Sequence, residues 1–176
     1  MTRYRCNLIA GISLWLLCTQ GAWAAASAPA GPSRHIVLPD HIPAQCVTDA
    51  AQRYQVPEVA LLAILKQESG GQAGINHRNS NGSIDWGPAQ LNSRSWGRVM
   101  RDRYGISPQA LTNNMCQAIM AQAYVLRSEW DACRKDGQKS IWCAIARYHS
   151  PTPALQEKYV RHVWEKYQSM MARGHF

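Results

Sequence analysis

PEVALLAILKQESGGQAGINHRNSNGSIDWGPAQLNSR, residues 57–94, changes character twice. Val59, Leu61, Leu62, Ile64 and Leu65 place apolar side chains on nearly every face of one helix, so that helix must be buried. Pro57 suits its first turn, where the missing N–H costs nothing. Gly70-Gly71 stops it. Polar sequence follows from Asn76 to Gln90, with Asn81-Gly82 as a strong hairpin signal. Ile84 and Trp86 alternate with polar neighbours, the period of a short strand. A buried helix running into a small hairpin predicts an α-rich domain with one small β-hairpin.

The flanking sequence extends the helical pattern. Helices are expected over about Ala44–Tyr54, Ser93–Tyr104, Thr112–Cys133 and Ser140–Tyr148. Thr152-Pro153 reads as the N-cap and first turn of a final helix. Leu155, Tyr159, Val160, Val163, Trp164, Tyr167, Met170 and Met171 form a stripe along it, read as core packing. No internal repeat is present.

The 176 residues suit one domain, but the first stretch stands apart from it. Arg3 and Arg5 precede an apolar run from Leu8 to Leu17, and Ala22-Trp23-Ala24 offers a small-x-small cleavage site. Residues 1–24 are therefore expected to be a secretory signal peptide, exporting the chain to the periplasm. A membrane anchor is the rival reading, against which the run is short. A lipoprotein signal at Cys18 fits poorly behind Leu17. Residues 25–43 are rich in Ala and Pro, lack periodicity and read as a flexible linker. The folded domain is expected over residues 44–176.

Export changes how the cysteines read. Cys46, Cys116, Cys133 and Cys143 remain after the leader, and an even count in an oxidising compartment favours two disulfides. Three pairings are open. The favoured one joins Cys133 to Cys143 as a short clip and Cys46 to Cys116 as a long-range tie. Zinc is the weaker alternative, because CxxC and paired-His spacings are absent. The formal net charge is +8, and loss of Arg3 and Arg5 leaves +6. A basic exported domain suits a polyanionic wall or membrane face. The basic residues are scattered, without the dense or aromatic-interleaved patch of a nucleic-acid binder.

Two carboxylates, Glu68 and Asp85, stand seventeen positions apart around the polar segment. Glu68 occupies the last turn of the buried helix, the negative end of its dipole, where an anion is disfavoured. Apolar neighbours raise its pKa further. A carboxyl kept neutral near pH 7 can protonate a glycosidic leaving oxygen. The bland alternative is a solvated surface glutamate ahead of a glycine stop.

KQESGG, DWGPAQLNS and AIARYHS occur in an order and spacing that resemble the lysozyme-like lytic transglycosylase (SLT) family over about Ala44–Tyr167. The pattern looks most similar to members associated with conjugative, type IV or type III secretion systems. The resemblance implies a mainly α, lysozyme-like α+β fold. It implies cleavage of the MurNAc–GlcNAc β-1,4 bond of peptidoglycan with 1,6-anhydromuramoyl ends, opening the wall locally for such an apparatus. Glu68 then corresponds to the catalytic acid/base. Gln90 corresponds to the glutamine lining the sugar groove, and Tyr148 to the tyrosine whose hydroxyl lies near the catalytic carboxyl. Ser69, Gly87, Asn92 and His149 join Gln90 and Tyr148 as substrate-binding candidates. No metal or cofactor is implied, and the domain is expected to act as a monomer on peptidoglycan, with secretion or conjugation proteins as further partners. Two positions depart from the family pattern. Pro88-Ala89 stand where Leu-Met is usual, and His149 where Asn is usual; His149 either replaces that hydrogen bond or is a structural histidine.

ESG, NGSIDWG and QLNSR also resemble chicken-type lysozyme, which places Asp85 as a second carboxylate beside the scissile bond. That makes a two-carboxylate hydrolase the main rival to the lyase. In a lyase the muramic acid 6-hydroxyl is the nucleophile, and Asp85 serves geometry and field. A non-catalytic wall-binding scaffold is the third reading, opposed by the presence of Glu68.

Overall fold

A computed structural model describes residues 36–176. The expected signal peptide at 1–24 and the first part of the expected linker lie outside the described residues. Among the described residues, seven helices and three short strands occur in order: α1 (Ala44–Tyr54), α2 (Glu58–Ser69), β1 (Asn76–Arg78), β2 (Ile84–Trp86), β3 (Leu91–Asn92), α3 (Trp96–Tyr104), α4 (Pro108–Asn113), α5 (Met115–Lys135), α6 (Ile141–His149) and α7 (Pro153–Arg173). The expected mainly helical α+β class is what forms.

Helix α2 is the spine. Every residue from Ala60 to Leu65 is buried, as its unbroken apolar sequence requires. Leu61, Ile64 and Leu65 are each at most 1% exposed, and full burial of such a side chain is worth about 1.5–3 kcal/mol. α1, α5 and α7 pack around α2. Gln122 of α5 is also fully buried, and its amide N–H donates to the Leu61 carbonyl at 2.9 Å. Gly70 ends the helix in the left-handed conformation, with its N–H returned to the Lys66 carbonyl.

The disulfides are Cys46–Cys116, tying α1 to α5, and Cys133–Cys143, tying α5 to α6. This is the favoured pairing among the three open from sequence.

The expected hairpin acquires a third strand, giving an antiparallel sheet in the order β1-β2-β3. After Trp86 the chain turns at Gly87, whose carbonyl accepts from the Gln90 N–H at 3.1 Å. Only a glycine fits at 87. Its φ is +65°, and an added Cβ would meet the Leu111 carbonyl oxygen and lie 2.7 Å from the Thr112 Cα. Strand alternation then sorts the side chains. His77, Asp85 and Asn92 pair across the strands and share one face, while Trp86 and Leu91 pair on the other and are buried.

Two boundaries and one burial pattern differ from expectation. The single helix expected over Thr112–Cys133 is two helices, because the Asn114 side chain accepts from the Gln117 N–H at 3.1 Å and restarts the chain as an N-cap. Helix α3 begins at Trp96 rather than near Ser93, since residues 93–95 form a turn after β3, with the Ser95 N–H donating to the Asn92 carbonyl at 3.1 Å. The α7 stripe is only partly core. Tyr159, Val163 and Met170 are buried, whereas Leu155 and Trp164 are 48% and 42% exposed.

Residues 36–43 fall within the stretch whose composition reads as linker, yet they are docked on the domain. Val37 forms a parallel bridge with His175; its N–H donates to the Gly174 carbonyl, and its own carbonyl accepts from the Phe176 N–H, both at 2.9 Å. Ile42 is 2% exposed, and with Phe176 it closes on Gly71, just past the end of α2. Lys66 of α2 lies over the Phe176 ring at 4.6 Å.

Candidate active site

A cleft of about 710 Å³ opens between the sheet and the α6–α7 junction. The cleft face of the sheet supplies His77, Asp85 and Asn92, and the β1–β2 turn supplies Asn79; α6 supplies Tyr148 and His149; α7 supplies Leu155. Glu68 reaches in from the last turn of α2.

Glu68 is the most perturbed carboxyl of the cleft. Burial by the apolar body of the domain raises its pKa from an ordinary 4.5 to about 7. A hydrogen bond donated by the Tyr159 hydroxyl pulls the other way, and the negative field of Asp85 adds to the rise. A carboxyl so placed exists in both protonation states near neutrality, and it can give a proton and take one back.

Asp85 is held differently. Its two carboxylate oxygens accept from the side-chain amides of Asn79 at 2.9 Å and Asn92 at 2.7 Å. Ser83, itself buried, accepts from the same two amides at 3.1 and 2.8 Å. Two strands and a turn thus fix one carboxylate with uncharged donors, which leaves its negative charge unneutralised in the cleft. The Asn81-Gly82 turn that makes this possible is closed by the Asn81 side chain, which accepts from the Ser83 N–H.

Six of the site residues expected from sequence come together here: Glu68, Asp85, Gln90, Asn92, Tyr148 and His149 all line the cleft. Gln90 does so from a left-handed backbone, φ +48°, with its side-chain amide donating to the Gly87 carbonyl at 2.6 Å. Ser69 and Gly87 are elsewhere. The Ser69 hydroxyl accepts from the Gly71 N–H and donates to the Leu65 carbonyl, finishing the helix, and Gly87 is buried against Leu111 and Thr112.

The two tyrosine hydroxyls near Glu68 are spent differently. Tyr148 donates to the Ala89 carbonyl at 2.8 Å, tying α6 to the β2–β3 turn. It is Tyr159, counted in sequence among core residues, that donates to Glu68. Burial pushes both phenols up, and the Glu68 charge adds to both, so each keeps its proton. A tyrosine on the buried side of the stripe was the available signal, because a buried phenol needs a partner. His77, Asn79 and Leu155 were also missed. His149 lies flat on Tyr159, ring centroids 4.5 Å apart and planes 2° from parallel.

Comparison with known proteins gives the same direction. A family model described as "Transglycosylase SLT domain" matches residues 45–170. "Invasion protein IagB" of Salmonella typhimurium is 26% identical over 163 residues, covering 90% of this chain and 85% of that protein. "Protein IpgF" of Shigella flexneri is 28% identical over 135 residues, covering 74% of this chain and 84% of that one.

Proposed function

Because this chain belongs to the transglycosylase SLT domain family, we propose that it is a peptidoglycan lytic transglycosylase. It cleaves the MurNAc–GlcNAc β-1,4 bond and leaves 1,6-anhydromuramoyl ends. The observation that carries this reading is Glu68: one carboxyl, with a pKa near 7, inside a polar cleft. In the first step its proton passes to the glycosidic oxygen as the bond to the anomeric carbon breaks. In the second the carboxylate takes the proton of the muramic acid 6-hydroxyl, whose oxygen closes on that carbon. One group with balanced proton affinity serves both steps. Asp85 supplies negative potential to the cationic sugar in between. Gln90, Asn92, Tyr148 and His149 shape the groove.

A second reading is supported by the way Asp85 is held. Its amide cradle leaves it free to face a sugar cation, as the second acid of a retaining hydrolase does. Mass spectrometry of products from purified peptidoglycan separates the two. Anhydro ends, one water lighter than reducing ends, are expected; reducing ends would transfer the chemistry to the two-carboxylate route.

The same family supports a setting outside the cytoplasm. A leader at 1–24 and two disulfides suit the periplasm, and the domain acts there as a monomer. One relative carries the name invasion protein, which supports a role in opening the wall for a secretion or conjugation apparatus.

A further inference from the structure

His149 is the last residue of α6, and its ring does more than border the cleft. It covers the face of Tyr159 with a nearly parallel plane, at a centroid separation of 4.5 Å. Tyr159 in turn spends its hydroxyl on Glu68. A phenol oxygen lies on the axis about which its ring flips, so flipping does not displace it. Tilting does, and a flat partner resists tilt. The junction that carries the stack is itself anchored. Tyr148, the preceding residue, is pinned to Ala89, and the Gln156 amide of α7 donates to the Ser150 carbonyl at 2.8 Å.

We infer that His149 is a positioning residue for Glu68, holding the Tyr159 ring so that its hydroxyl stays on the carboxyl. The inference rests on Glu68 being the reacting group. An aliphatic or amide side chain at 149 has no ring to do this, which gives a physical role to a residue that departs from the family's usual asparagine. Charge fits the role. The groups facing His149 are Asp85 of β2 and His162 of α7, besides Tyr159; burial, helped by His162 and opposed by Asp85, lowers its pKa. The imidazole therefore stays mainly neutral at pH 7 and adds no cation beside Glu68.

The test is a carbon-13 NMR titration of the Glu68 carboxyl, assigned by its loss in Glu68→Gln, run on wild type, His149→Ala, His149→Phe, Tyr159→Phe and the His149→Ala/Tyr159→Phe double variant. Tyr159→Phe deletes a charge-assisted hydrogen bond and should raise the midpoint by about one pH unit. His149→Ala should raise it by roughly half as much. His149→Phe keeps a flat ring and should restore the wild-type midpoint, and the double variant should match Tyr159→Phe alone. If His149→Ala does not fold, His149→Leu replaces it, with bulk but no flat face. An unchanged Glu68 midpoint in His149→Ala with a raised KM would overturn the inference in favour of a substrate contact. A His149→Ala shift that persists without the Tyr159 hydroxyl would overturn it in favour of a direct field effect. The titration needs no turnover, so it stands apart from whether the products are anhydro sugars.

Discussion

Replacing Glu68 by glutamine should stabilise the protein at alkaline pH while removing its activity. The folded Glu68 has a pKa of about 7 against an ordinary 4.5, and burial is the main cause. Below pH 4.5 the group is protonated in both folded and unfolded chains, and folding is not opposed. As pH rises toward 7 the unfolded chain releases the proton and the folded one keeps it, so stability falls with pH. Above pH 7 the whole penalty is in place. A tenfold change in proton affinity corresponds to about 1.36 kcal/mol, so the penalty is about 3 kcal/mol. Glutamine keeps the shape and the acceptor for Tyr159 but never ionises. Urea unfolding of wild type and Glu68→Gln at pH 4, 6 and 8 measures this directly, because every other titrating group is common to both. The stability difference between them should grow by about 3 kcal/mol from pH 4 to pH 8, in favour of the variant. A difference that stays constant over that range would show that the folded site does not hold the proton, and the acid/base argument built on it would fail.

Cleavage of purified peptidoglycan by Glu68→Gln should fall by at least about a hundredfold to ten-thousandfold, the ordinary loss for a general acid. Asp85→Asn should keep anhydro products at roughly a tenth of the wild-type rate; it should also lower the Glu68 midpoint by removing the Asp85 field, and reducing-end products or a loss as deep as Glu68→Gln would refute the lyase assignment. Removing Cys46–Cys116, which closes a 70-residue separation, should cost about 4 kcal/mol, and removing Cys133–Cys143, with a separation of 10, about 3 kcal/mol; denaturant titration of paired Cys→Ser variants checks the order. Gly87→Ala should destabilise by about 3 kcal/mol or more, since the new methyl meets the backbone of Leu111 and Thr112 at a positive φ; a melting temperature within a few degrees of wild type would contradict that packing.

Local signals were legible where one residue type has one dominant use. The apolar run of α2, the glycine stop after Ser69 and the Asn81-Gly82 turn each specify their own conformation, and all three form as read. The third strand was not legible, because Leu91-Asn92 is too short to show a period and pairs only once Gly87 and Gln90 have turned the chain. The break at Asn114 was missed because Thr112, itself a residue type suited to an N-cap, stands only two places before it. At the site, position in the motif located Glu68, Asp85 and Gln90. The donor to Glu68 came from α7, 91 residues away, and helical periodicity records that Tyr159 is buried but not what its hydroxyl meets. The docking of residues 36–43 was missed because a single bridge and one buried isoleucine leave no repeating pattern.

The pairing of Val37 with His175 bears on how the protein should be labelled. A tag joined directly to Phe176 would have to leave from a residue whose ring lies within 3 Å of the Cβ position of Gly71, three places beyond Glu68. Tension or bulk introduced there would be felt at the end of α2. A reporter fused through a long flexible spacer, or placed on the exposed Gln138-Lys139 turn between α5 and α6, leaves that clamp undisturbed.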